Sequence, residues 1–241
     1  MKDKKNIVAI IILVVIILAG VIYFCFIKNE NVKDNINVSF DSNGGSVIDN
    51  VYILEGNKIK LPAEPTREGY IFAYYELSDG RIASDEITIN KDEVLKANWI
   101  KEDAEYITVT YGNFQGESIK VKYEKGSTLK WLELPLREEY ELSGWTNDDG
   151  EIVPTSYALT KDIYLMSRWL NKSSKKITIT VNYDDGCENF KYTSLDGDVA
   201  SLPVSPVRSG YTFNGWVLED GTVVSERTIF NGDTTIKALW K

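Results

Sequence analysis

The chain has 241 residues, of which 36 are acidic, 27 basic and none histidine, giving a formal charge of -9 and a pI near 4.8. Nucleic acid and anionic lipid are bound by clustered Lys and Arg, so the overall balance argues against both as partners. The lack of histidine removes the commonest general base and metal ligand, and Cys25 and Cys187 form neither a disulfide framework nor a metal-spaced set.

In chain order, residues 1–5 read as a cytoplasmic stub with three lysines against one aspartate, and residues 6–27 as a transmembrane helix. Ile7 to Ile27 is 21 residues without a charge. At ~1.5 Å per helical residue that spans about 32 Å, against a hydrocarbon core of roughly 30 Å. Tyr23, Phe24 and Phe26 sit at its far end, where rings favour the interface. A cleaved signal peptide is the rival, but its apolar region is shorter and ends in small residues; here Val21 and further apolar residues follow Leu18-Ala19-Gly20. Lys2, Lys4 and Lys5 hold the N-terminus in the cytoplasm, which puts residues 28–241 outside the cell. Residues 28–35 are a polar tether.

Ile36-Asn37-Val38-Ser39-Phe40 then alternates apolar and polar residues as a strand does, and Asn43-Gly44-Gly45 follows as a turn. Similar strands open at Ile107 and Ile177, and matching segments close on Trp99, Trp169 and Trp240. The repeat defines three modules, residues 36–100, 106–170 and 177–241, joined by Lys101 to Glu105 and Asn171 to Lys176. Asp79-Gly80, Asp149-Gly150 and Asp220-Gly221 mark a hairpin in each. Every module is acidic, with net charges of -5, -3 and -4.

One phrase recurs in all three copies. It runs from Pro206-Val207-Arg208 to Tyr211-Thr212-Phe213-Asn214-Gly215-Trp216, and returns from Pro65 to Tyr75 and from Pro135 to Trp145. The prolines should lie just outside the sheet, and Gly69 and Gly210 permit a left-handed backbone before the strand. Tyr211 and Phe213 share one strand face, and Trp216 falls on the other unless Gly215 introduces a bulge. The middle copy has Glu139 for the first Gly, and the first copy has Tyr74 for the second Gly and Tyr75 for Trp.

The opening strand with its Asn-Gly-Gly turn, the P-x-R-x-G-Y-x-F-x-G-W phrase and the closing Ala-x-Trp resemble the Listeria-Bacteroides repeat, the B-repeat family of internalins and other bacterial surface proteins. The match is weaker in the middle copy, where Gly112-Asn113-Phe114-Gln115-Gly116 replaces the turn. The resemblance implies a mostly β chain of β-grasp-like small modules in tandem, exposed on the cell surface. It implies no enzymatic activity, cofactor or metal, and brings no family-wide ligand residues.

Arg67, Arg137 and Arg208 recur, as do Asp92, Asp162 and Asp233, which reads as an Arg-to-carboxylate pair closing each module. Tyr70, Tyr140, Tyr211, Trp99, Trp145, Trp169, Trp216 and Trp240 complete the structural repeat motif. The copies differ at Trp131, where Leu61 and Leu202 match it, and at Tyr74 and Tyr75. These three are the candidate partner-binding residues, with packing into the core as the plainer reading for each. Acidic clusters such as Asp148-Asp149, Asp184-Asp185 and Glu138-Glu139-Glu141 lack calcium-loop spacing and read as solvated turns. The expected function is non-catalytic binding or adhesion at the cell surface, toward a protein or glycan, with the lipid bilayer engaged through residues 7–27. The alternative is a structural spacer or envelope scaffold for a membrane partner.

Overall fold

The computed structural model describes residues 35–112, 116–184, 186 and 188–241. The expected membrane helix at 6–27, nearly all of the tether and both cysteines lie outside the described residues. The first module contains β1 (Asn35–Asp41), β2 (Val51–Leu54), β3 (Lys58–Lys60), β4 (Tyr70–Glu76), β5 (Glu86–Thr88) and β6 (Glu93–Lys101). The second contains β7 (Tyr106–Gly112), β8 (Ser118–Glu124), β9 (Tyr140–Thr146) and β10 (Ile163–Asn171). The third contains β11 (Lys176–Asn182), β12 (Phe190–Leu195), β13 (Phe213–Leu218), β14 (Val223–Val224) and β15 (Thr234–Trp240). The described residues are mostly β and contain no helix.

Each module builds one mixed sheet, in the orders β2-β1-β6-β4, β8-β7-β10-β9 and β12-β11-β15-β13-β14. The opening and closing strands run parallel in the centre, the strands flanking them are antiparallel to them, and β14 adds antiparallel to β13 at one edge of the third sheet. A parallel pair cannot be joined by a hairpin and needs a crossover. Here the crossover is the whole middle of the module, and it carries the recurring phrase as β4, β9 and β13. The period-2 pattern decides which face is inside: β1 buries Ile36 and Val38, β7 buries Ile107 and Val109, and β11 buries Ile177 and Ile179.

The recurring aspartates fasten the parallel pair. Asp92, Asp162 and Asp233 stand just before the closing strand, and their Oδ1 atoms accept the backbone N–H of Asn37, Thr108 and Thr178 at 2.9, 2.8 and 2.8 Å. The expected pairing of these carboxylates with Arg67, Arg137 and Arg208 is therefore wrong. A short Asp side chain reaches only the neighbouring opening strand, and the arginines find their partners elsewhere. Replacing Asp162 by Ala removes a charge-assisted bond, and urea denaturation should show a loss of about 1–2 kcal/mol.

The phrase strand holds one extra residue opposite the closing strand in every copy. The register breaks between Phe72 and Tyr74, opposite Arg168 and Trp169, and between Phe213 and Trp216. This bulge turns Phe72 with Tyr75, Leu142 with Trp145, and Phe213 with Trp216 onto the same core. Gly144 and Gly215 adopt φ of 142° and 111° there, while the first module makes its bulge with Tyr74 and no positive φ.

The three cores are not separate. Ile82 of the first module is buried in the core of the second, and Ile152 of the second in the core of the third. Both are held by backbone bonds. Ile82 N–H donates to Trp131 C=O at 2.8 Å and Ile82 C=O accepts from Glu133 N–H at 2.8 Å. Ile152 N–H donates to Leu202 C=O at 2.8 Å and its C=O accepts from Val204 N–H at 2.9 Å. Each joint is thus a short parallel bridge, Ile82 beside Leu132 and Ile152 beside Pro203.

Candidate functional site

The recurring arginines stack on rings. The Cζ atoms of Arg67, Arg137 and Arg208 lie 3.9, 4.2 and 4.1 Å from the ring centroids of Tyr70, Tyr140 and Tyr211. They also lie 5.9, 5.1 and 5.8 Å from those of Trp99, Trp169 and Trp240. A guanidinium between two ring faces gains cation–π attraction from each. Its N–H groups remain free to reach the turn after the opening strand, and Arg67 donates to Asn43 C=O at 3.1 Å and Arg208 to Asp184 C=O at 2.6 Å. In the same two modules Trp99 and Trp240 donate to Ser42 and Tyr183 carbonyls at 3.0 and 2.9 Å. The middle module has a different turn sequence, and its Trp169 donates instead to Ser167 Oγ at 3.0 Å. In the first and third modules the stack locks turn, phrase and closing strand together, so these residues are structural there; in the middle module Arg137 ties the phrase to the closing strand, and it and its two rings also line a surface cleft.

Two of the three candidate partner residues belong to the framework. Tyr75 is 3% exposed and fills the core place of Trp145 and Trp216, so it forms no aromatic surface patch. Its position in the repeated phrase already carried that signal. Tyr74 replaces a glycine and leans across the first joint, where its ring lies 5.8 Å from Tyr123 and packs on the middle core. Gly144, at the matching place in the second joint, has no side chain to do this. There Arg168, the residue before the closing Trp, crosses instead, donating to Thr193 C=O at 2.7 Å and Ser194 Oγ at 3.4 Å in the third module and to Ser143 Oγ at 2.7 Å in its own. Burial pushes its pKa down, yet a guanidinium stays protonated. The sequence held no signal for this role beyond its difference from Asn98 and Leu239.

Trp131 is the exception that stays at the surface. The middle core is filled by Leu129, Leu132 and Leu134 around it, and the Trp131 ring is half-buried between two clefts. One, of 330 Å³, is also lined by Arg81, Arg137, Tyr140, Trp169 and Lys172. The other, of 250 Å³, reaches across the second joint to Phe190, Lys191 and Tyr192. Lys172 Nζ donates to the carbonyls of Arg137 and Glu138 at 3.2 and 2.9 Å, which fixes a cation on the rim of the first cleft. The cleft offers aromatic faces with cations beside them, the chemistry that holds a flat ring or an acidic group.

Arg81 joins the cleft to the first joint, pairing with Glu133 across it and with Asp79 at 2.6 Å. The Arg81 guanidinium holds the Asp79 carboxyl below its usual value. Asp196 is lowered by Lys175, and Asp220 by the Thr222 backbone N–H. These carboxylates are ionised acceptors. Among the described residues no group of three or more Asp, Glu or Cys side chains could share a metal ion.

A second titrating set lies inside. Burial raises Tyr75 and Tyr123 to about 12, and raises Tyr74, Tyr111 and Tyr192 as well. Tyr111 and Tyr123 share a 2.6 Å hydroxyl contact. A phenol whose folded pKa lies above its unfolded value of 10.0 supports the fold fully below pH 10 and loses that support as pH rises through the folded pKa. Alkaline titration should therefore unfold the chain between about pH 10 and 12. The phenolate absorbance of these five tyrosines should appear together with loss of β-sheet circular dichroism.

The pattern that defines the Listeria-Bacteroides repeat domain matches residues 37–98, 107–168 and 177–239. Two similar proteins come from Evansella cellulosilytica. One, named "Putative Gly-rich membrane protein", is 27% identical over 218 residues, covering 85% of this chain and 24% of the relative. The other, named "Putative membrane protein", is 30% identical over 198 residues, covering 77% of this chain and 29% of the relative. The chain thus spans about a quarter of the length of these curated relatives.

Proposed function

The chain belongs to the Listeria-Bacteroides repeat family in all three of its modules, and on that premise we propose that it is a single-pass membrane protein that presents a non-catalytic binding surface outside the bacterial cell. Residues 6–27 anchor it with the N-terminus in the cytoplasm, and the modules are β-grasp-like units in which a crossover of short strands stands in place of a helix. The uncharged run Ile7 to Ile27 and the membrane-protein names of the relatives support the anchor. The observation that carries binding is the Trp131 cleft, where the one aromatic departure from the repeated Leu sits beside Arg81, Arg137 and Lys172. It suits a glycan or protein surface with a flat face and an acidic group, bound as an adhesin binds.

The test is capture of cell-wall or host-surface components by the full chain in detergent, compared with the Trp131→Ala variant. A buried Trp anchor is worth about 2 kcal/mol or more, so capture should fall roughly thirtyfold while the melting temperature holds. Equal capture by both chains, or a loss that follows a lowered melting temperature, sinks the cleft. The bridged joints favour a second reading, a spacer for a membrane neighbour. Crosslinking in the native membrane to such a neighbour, with no capture of soluble or wall material, would select it.

A further inference from the structure

Every internal joint has two halves, and the two ends of the array each carry one half that nothing covers among the described residues. At the far end Val223 occupies the place of Ile82 and Ile152. Val217 pairs with Val223 as Glu76 pairs with Ile82 and Thr146 with Ile152. Leu218 N–H donates to Thr222 C=O at 2.9 Å, as Leu77 N–H does to Arg81 C=O. In this pattern the N–H and C=O of Val223 face away from β13, as those of Ile82 and Ile152 do where they bond the next module. Yet Ile82 and Ile152 are 1% exposed and Val223 is 69% exposed.

At the near end Leu61-Pro62-Ala63 stands where Trp131-Leu132-Glu133 and Leu202-Pro203-Val204 receive their joints. A central proline is no obstacle, because Pro203 already occupies that place and the bonds run through the residues on either side. The edge strand β2, whose counterparts β8 and β12 meet β4 and β9 of the preceding module, exposes Tyr52, and Val51 is 38% exposed while the matching Val121 and Tyr192 are 3% and 5% exposed. An apolar, unpaired edge of this kind is a template for a further strand.

We propose that these half-joints dock onto each other between copies of the chain. The Val223 edge of one copy pairs in parallel with Leu61-Pro62-Ala63 of a second. Val223 N–H donates to Leu61 C=O, and Ala63 N–H donates to Val223 C=O. The occupant follows from continuity with the two internal joints, which make this same bridge with this same register. The contact is heterologous, so copies add head to tail in a row. It holds whether or not the Trp131 cleft binds a ligand. The internal joints form at the high local concentration that the short connections between β6 and β7 and between β10 and β11 impose. The first joint also has the pairs Glu76 with Lys130 and Arg81 with Glu133. At the outer joint their places are taken by Val217 opposite Lys60 and Thr222 opposite Ala63, so the row is reversible and depends on concentration.

The test uses the full chain in detergent with Cys25→Ala and Cys187→Ala, carrying Val223→Cys and Pro62→Cys under mild oxidation. Residues paired across a bridge are close enough for a disulfide. The expected result is a ladder at multiples of 27.3 kDa that fades on dilution. Adding Val217→Glu, which gives Lys60 the partner that Lys130 has in Glu76, should raise its yield roughly threefold, as an exposed ion pair does. The internal control is Ile82→Cys with Leu132→Cys. A chain that stays monomeric while this control closes overturns the proposal. So does equal crosslinking when the exposed Val47 carries the cysteine in place of Val223. Sedimentation of the cysteine-free Val217→Glu chain gives a reading that needs no disulfide: association growing with concentration supports the row, and a monomer throughout counts against it.

Discussion

Ile82→Ala should destabilise the second module, although Ile82 belongs to the first, by about 2–5 kcal/mol. The side chain is 1% exposed and packs with Val109, Leu132 and Trp145 in the middle core. Its removal leaves a cavity that a wall of strands closes only in part, while its backbone bonds to Trp131 and Glu133 remain. The loss is therefore one of packing. Hydrogen exchange resolved by strand should show β7 and β10 opening more readily, with β11 and β15 unchanged. The matching Val223→Ala in the third module should cost less than about 0.5 kcal/mol in the dilute chain, because that side chain is 69% exposed. The same register position thus predicts a large effect and a negligible one. If the Ile82 loss appeared in β1 and β6 instead, the shared core would be refuted.

Gly45→Ala should be the most damaging glycine substitution in the first module. A Cβ there would sit 2.5 and 2.9 Å from Trp99 ring carbons and 3.1 Å from Thr66 C=O. The ring cannot step aside. Its Nε1 is bonded to Ser42 C=O, Phe72 packs edge-on at 5.7 Å, and Arg67 covers it. Overpacking of this kind costs about 1–3 kcal/mol, and thermal unfolding should show it. At Gly112 an added Cβ meets only the hydroxyl end of Tyr164, whose partly exposed ring can rotate away. Gly112→Ala should therefore be close to neutral, and a loss equal to that at Gly45 would mean that Trp99 is not held as described.

Much of the sheet was legible because it rests on local periodicity. The alternation at Ile36 to Phe40 and its copies, and the three Asp-Gly turns, need no long-range information. The bulge was legible only as a condition attached to Gly215, since one inserted residue reverses the faces that period 2 assigns. The arginine partners were misread because recurrence says that two residues serve every module, not that they meet. The better signal was nearer at hand. Tyr70 N–H bonds Arg67 C=O and Tyr211 N–H bonds Arg208 C=O, both at 3.1 Å, and a turn that closes over three residues lays the first side chain on the last. The joints were not legible at all. Ile82 looks like any alternating strand residue, and nothing local tells whether an apolar side chain enters its own core or its neighbour's. Tyr74 and Arg168 differ from their counterparts because the two joints are spanned by different side chains. Trp131 remains as the departure that neither core nor joint absorbs.

The handing of one isoleucine to the next core also bears on how such a gene changes length. Loss of one repeat length by unequal recombination would leave Ile82 facing Pro203, a bridge of the kind Ile152 already makes with it. Gain of one would add another such bridge. Insertions and deletions in whole-repeat steps therefore yield chains whose connections all keep the isoleucine bridge while the side chains around it vary, and the reach of the array becomes a heritable quantity that selection can lengthen or shorten.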